Sequence, residues 1–175
     1  MRVRLFVAAA TLAVALGADA RAEEPQRYEG PYFTFDYPAR AKATPSSDPT
    51  AEGAVTVTDK NITAVVLAGQ KRIPESELEA TAAAWHAARM KNRAAWGVKA
   101  DGGPPHDNVR IGDKKWMRWR DRLGSVLGAQ EQSMTCGGIN GHLGCILVTA
   151  PEAARDEADA YAAELLKSFV IHRPR

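Results

Sequence analysis

The ten residues "CGGINGHLGC", Cys136–Cys145, contain both cysteines of the 175-residue chain. Asn140-Gly141 at their centre is the strongest two-residue hairpin signal, because both positions tolerate positive φ. With those two residues at the turn, Ile139 faces His142, Gly138 faces Leu143, Gly137 faces Gly144 and Cys136 faces Cys145. The residues flanking such a turn form a hydrogen-bonded pair and the pair types alternate outward, so the cysteines fall at a non-hydrogen-bonded pair. Cα atoms there lie about 4.5 Å apart, a separation a disulfide can span. A thioredoxin-type redox site needs two residues between its cysteines, and this gap has eight. A structural zinc site needs about four ligands, whereas Cys136, Cys145 and His142 supply three. The expectation is a structural disulfide across a hairpin; free thiols or a regulatory bond are the alternatives.

A disulfide requires an oxidising compartment, and the N-terminus predicts one. "MRVR" is a basic start, and Leu5 to Gly17 is an uncharged apolar run. That run has the length of a signal-peptide core and is shorter than the roughly 20 residues of a membrane span. Small residues at Ala18, Ala20 and Ala22 offer cleavage sites, and no cysteine nearby could carry a lipid anchor. The expected organisation is a signal peptide over 1–22, a flexible leader over 23–30, one domain over 31–172 and a tail over 173–175. Removing Arg2, Arg4 and Arg21 from the 23 basic residues, and Asp19 from the 21 acidic ones, leaves 20 of each. A near-neutral mature chain argues against a nucleic-acid partner, which needs a cationic surface. No second apolar run approaches membrane length, so the expected location is the periplasm or the exterior.

Outward from the hairpin, "PYFTFDYP" (31–38) alternates and reads as an aromatic strand, and 41–53 as a turn-rich loop. Residues 54–69 form two β-branched runs about a turn. Residues 73–96 read as a helix, with Pro74 and three glutamates at its start. Leu78, Ala82, Trp85 and Arg89 lie on one of its faces. A loop follows, then a strand over 114–123 and the two arms of the cysteine hairpin. Residues 151–169 read as a second helix, with Ala154, Ala158, Tyr161, Ala162, Leu165 and Phe169 as an apolar stripe. Hairpins dominate this order. The predicted fold class is α+β, a three-layer α/β/α sandwich with a largely antiparallel sheet and two main helices.

This order, with "YFTFDYP" near the start and "CILVTAP" followed by "AAELLKSF" near the end, resembles the PsbP/DcrB-like superfamily over nearly the whole mature chain. The resemblance implies an exported accessory or protein-binding module built as an α/β/α sandwich. It implies no catalytic residues, because the group has no universal catalytic motif.

The most suggestive surface is "KKWMRWRDR", 114–122. In a strand, Trp116, Arg118, Arg120 and Arg122 share one face, while Met117 and Trp119 turn to the other. Guanidinium groups beside a tryptophan suit a protein partner. The competing reading lays the arginines under a helix through their aliphatic stems, paired with the acids of "EAARDEADA". Asp101, His106 and Asp107 are weak metal candidates, short of the ligand number that zinc or calcium requires. No catalytic motif occurs, and no cofactor is implied. The reading is an exported, non-enzymatic accessory protein that contacts another periplasmic protein or an envelope component. A small-ligand or metal-binding protein and an uncharacterised hydrolase are the alternatives.

Overall fold

The structure is a computed structural model that describes residues 24–48, 51–95, 100–101, 106–124 and 129–172. The expected signal peptide and the tail at 173–175 lie outside those residues. In chain order the elements are β1 (Gln26–Glu29), β2 (Phe33–Tyr37), β3 (Lys42–Asp48), β4 (Ala51–Asp59), β5 (Ile62–Arg72), α1 (Glu75–Ala95), β6 (Ala100–Asp101), β7 (Asp107–Ile111), β8 (Lys114–Leu123), β9 (Gln130–Ile139), β10 (His142–Pro151), a 3-10 turn (Glu152–Ala154), α2 (Arg155–Lys167) and β11 (Val170–Ile171).

The main sheet runs β3-β4-β5-β10-β9-β8-β6, with β7 also paired to β8, and every pairing is antiparallel. A smaller sheet, β1-β2-β11, lies beside it. Because side chains alternate along a strand, the register fixes two faces. Met117, Met134, Cys136, Cys145, Leu147 and Leu67 pack on the α1 side. Trp116, Ile146, Val148, Val66 and Val55 pack with α2 and the aromatics of β2 on the other. The result is the expected α+β sandwich.

The two helices are anchored differently. α2 buries Ala158, Tyr161, Ala162, Leu165 and Leu166. Phe169, just beyond it, meets Phe33 and Phe35 edge-on at 5.5 and 6.5 Å. On α1, Ala82 alone among the described side chains is buried. Leu78 sits over Gly138 and Trp85 over Gly69, which leaves much of that helix to be held by polar contacts.

Two segments read as irregular are strands. The leader contains β1, because Tyr28 packs on Phe33 and Phe35 at 5.7 and 5.3 Å and Arg27 bonds Asp36 at 2.9 Å. The polar 41–53 stretch supplies β3, whose Pro45 faces Val55; an edge strand is where a sheet accommodates proline. The loop after α1 likewise includes β6 and β7.

Candidate functional site

The cysteine hairpin has the register derived from its turn: Ile139 faces His142 and Cys136 faces Cys145. Asn140 and Gly141 both take positive φ, 55° and 79°. The cysteines are joined, their Cα atoms 4.2 Å apart, and both are fully buried under α1. The glycines around the bond make room for other side chains. A Cβ on Gly137 would lie 2.5 Å from the Trp116 ring, and one on Gly144 would lie 2.7 Å from Ile139 and Phe169.

The arginine strand does not present the open face set out for a partner. α2 covers it. Trp116 is 2% exposed and Arg118 8%. Arg118 pairs with Asp159 of α2 at 2.9 Å, and Arg120 bridges Asp159 at 2.5 Å and Glu131 at 2.9 Å. Arg122 meets Glu152, and Arg155 reaches Glu131. Burial pushes the Arg118 guanidinium below its ordinary value, with Asp159 opposing. Burial also acts against Arg120, but hydrogen bonds and charge from Asp159 and Glu131 outweigh it and raise that group. The competing reading, arginines paired with acids of the "EAARDEADA" stretch, describes Arg118, Arg120 and Arg122, which meet Asp159 or Glu152. The register explains why: the face that carries Trp116 also carries Ile146 and Val148, so the apolar stripe of α2 must dock there.

The metal candidates are not assembled. Asp107 opens β7 opposite Arg118, on the α2 side. His106, one residue earlier, turns to the other side, where its ring lies 5.0 Å from Trp119 and its Nε2 3.7 Å from Glu79. Asp101 is in β6, opposite Arg122. Among the described residues no group of three or more His, Cys, Asp or Glu is placed to hold a metal ion.

Two features were missed. The first is a polar cluster under α1. His86 stacks on Trp119 at 5.3 Å and its Nε2 lies 2.9 Å from an oxygen of Asp121. Asp121 is 1% exposed, and its other oxygen has no hydrogen-bond partner among the described residues. One turn on, Arg89 pairs with Asp48 of β3, and burial pushes the Arg89 guanidinium down. Arg93 is pushed down too, by burial and then by Arg89. These contacts tie α1 to the edge strand β3 and, across the sheet, to β8, an internal clasp rather than an open site.

The second is the sheet end that carries the β7–β8 and β9–β10 turns. Arg72 closes β5 opposite His142. Lys114 opens β8 opposite Ile111, and Lys115 faces Arg110 of β7. With Lys71, these basic residues are all exposed, and none forms an ion pair among the described residues. A groove of about 380 Å³ opens between them and the start of α1, lined by Ile73, Glu75, Leu78, Lys114, Lys115 and the backbone of the cysteine hairpin. Each of these basic residues sits at a strand end beside a turn. That was the available sequence signal, but it gathers them only once the strand order is known. A second groove, of about 400 Å³, lies between Tyr32 and the Pro45–Asp48 stretch of β3.

No family model matches the chain, and no curated protein matches it in sequence. Solved structures do match it in shape. Cyanobacterial PsbP (CyanoP) from Synechocystis is 16% identical with a TM-score of 0.57, and the match covers 89% of this chain and 96% of that one. A Bacteroides thetaiotaomicron protein is 12% identical with a TM-score of 0.57, and the match covers 84% of this chain; the chain spans about half, 48%, of that protein. LpqN of Mycobacterium tuberculosis, described as involved in cell envelope biogenesis, is 13% identical with a TM-score of 0.46 over 85% of this chain and 89% of its own. The chain has the PsbP-like fold.

Proposed function

We propose that this is an exported accessory protein that binds another protein or an envelope component outside the cytoplasm and is not an enzyme. The observation that carries the reading is the group of cations around the groove at the hairpin end that form no ion pair among the described residues. Exposed charged side chains can meet a partner's charge, and such complementarity sets on-rate and specificity. The disulfide supports the compartment, since such bonds persist outside the reducing cytosol. The PsbP-like fold, shared with CyanoP, is compatible with an accessory role.

The test is site-specific photo-crosslinking in cells. A crosslinking amino acid at Lys115 is expected to give discrete adducts with envelope components that are absent when it replaces Lys60, in the β4–β5 turn. Adducts missing at both positions, or identical at both, would overturn the reading.

A small-ligand carrier is the second reading, and the groove beside Tyr32 and Pro45 is the observation in its favour. A ligand that binds only the native state raises the melting temperature by mass action. Thermal shifts against periplasmic metabolites, compared between wild type and Gly53→Trp, test that reading.

A further inference from the structure

We infer that the hairpin end of the sheet is an electrostatic docking surface for an anionic phospholipid bilayer. This rests on the binding-protein reading above and names the envelope component. Lys71, Arg72, Arg110, Lys114 and Lys115 are exposed at one end of the sheet, and Glu75 and Glu77 of the first turn of α1 and Asp113 are the exposed acids beside them. Five cations against three carboxylates give a local excess that a near-neutral chain otherwise lacks. From Arg72 on β5 to Arg110 on β7 the arc crosses four strand spacings, about 19 Å. That is broad enough to face several lipid headgroups at once.

The chemistry around the arc favours lipid over protein. The centre of a specific protein interface is apolar and closely packed. Here Val170 is the one large hydrophobic residue exposed among the described residues. It stands beside the same end, since the neighbouring Ile171 carbonyl accepts a hydrogen bond from the Asn140 side chain at the β9–β10 turn, 2.9 Å away. A cationic rim around one modest apolar side chain suits a headgroup layer, where juxtamembrane Lys and Arg each strengthen binding to anionic lipid.

The experiment is flotation of the mature chain with vesicles of phosphatidylcholine alone or mixed with phosphatidylglycerol. Binding is expected only to the mixed vesicles, and raising the salt to about 0.5 M, where charges are screened within a few ångströms, should abolish it. Lys114→Glu with Lys115→Glu should weaken binding by about tenfold or more, on the scale of roughly fivefold per basic residue. Lys42→Glu with Lys60→Glu, which makes the same change of net charge at the opposite end of the sheet, should bind like wild type. Circular dichroism checks folding, and Lys114→Gln with Lys115→Gln carries the test if the reversal unfolds. No flotation, equal flotation with neutral vesicles, equal loss in the control variant, or a preference for polyglutamate over vesicles would each overturn the inference. If flotation fails while crosslinks at Lys115 persist, the lipid assignment falls and the binding-protein reading stands; if both fail, both fall.

Discussion

Arg118 on β8 and Asp159 on α2 form an ion pair at 2.9 Å in the interior of the sandwich, with the Arg118 side chain 9% exposed. The pair fastens the second helix across a strand that would otherwise place the guanidinium groups of Arg118 and Arg120 against a hydrophobic face. Removing one partner from such a pair leaves the other charge buried and uncompensated. Asp159→Ala is expected to cost about 3 kcal/mol, the lower end of the range for buried pairs, because Asp159 keeps some solvent contact. Urea denaturation checks this through a lowered midpoint at unchanged slope. A midpoint within error of wild type would show that the arginines reach water instead.

Tyr161 gives a pH signature. Its hydroxyl is buried and finds no hydrogen-bond partner among the described residues. Burial first, and then the charge of Asp59, hold its ionisation well above the ordinary tyrosine value of 10.0. The folded value is therefore the higher one. The contribution to stability is intact below pH 10 and is lost as the pH rises beyond it, because the unfolded chain ionises first. Tyr161→Phe should leave stability at neutral pH within about 1 kcal/mol of wild type or slightly raise it, and should flatten the alkaline decline. Denaturation midpoints at about pH 7 and pH 10.5 decide the matter.

The helices should differ in how readily they open. α1 relies on His86–Asp121, Arg89–Asp48 and the His106–Glu79 approach, whereas α2 is seated in the apolar core. Elements with few buried apolar contacts open at lower free energy. Backbone amides of α1 are expected to exchange with deuterium about tenfold faster than those of α2, or more. His86→Ala should leave buried Asp121 without its hydrogen bond, cost about 1–3 kcal/mol and accelerate exchange in α1 selectively.

Gly137 is fixed by its neighbour. The Trp116 ring occupies the space a Cβ would need and is enclosed by the core. Gly137→Ala should destabilise by about 1–3 kcal/mol through overpacking and shift tryptophan fluorescence.

Reduction of Cys136–Cys145 should cost about 2–3 kcal/mol for so short a loop. Because both sulfurs are buried, it should require denaturant or long incubation, which a time course of thiol labelling would reveal.

The features legible in the sequence were those set by short-range chemistry. Asn140-Gly141 determines its own turn, and the turn determines which residue faces Cys136. The apolar stripe of α2 and the strand over Lys114–Leu123 are written in periodicity. Features that depended on distant partners were not legible. Gln26–Glu29 is polar and becomes a strand because Tyr28 finds Phe33 and Phe35. Lys42–Asp48 looks like a loop until Ala51–Asp59 lies beside it. The destination of Arg118 was visible only as one of two options, since nothing in its own strand says where Asp159 will be. The cations at the hairpin end were unremarkable one by one, and strand order alone brings them together.

Pro45 in β3 has a consequence for self-association. A sheet with a free outer strand invites another chain to add itself, and repetition of that step is how fibres begin. A ring nitrogen in mid-strand offers an incoming backbone no donor at that step of the ladder. The molecule thus carries its own terminator at that edge of the sheet.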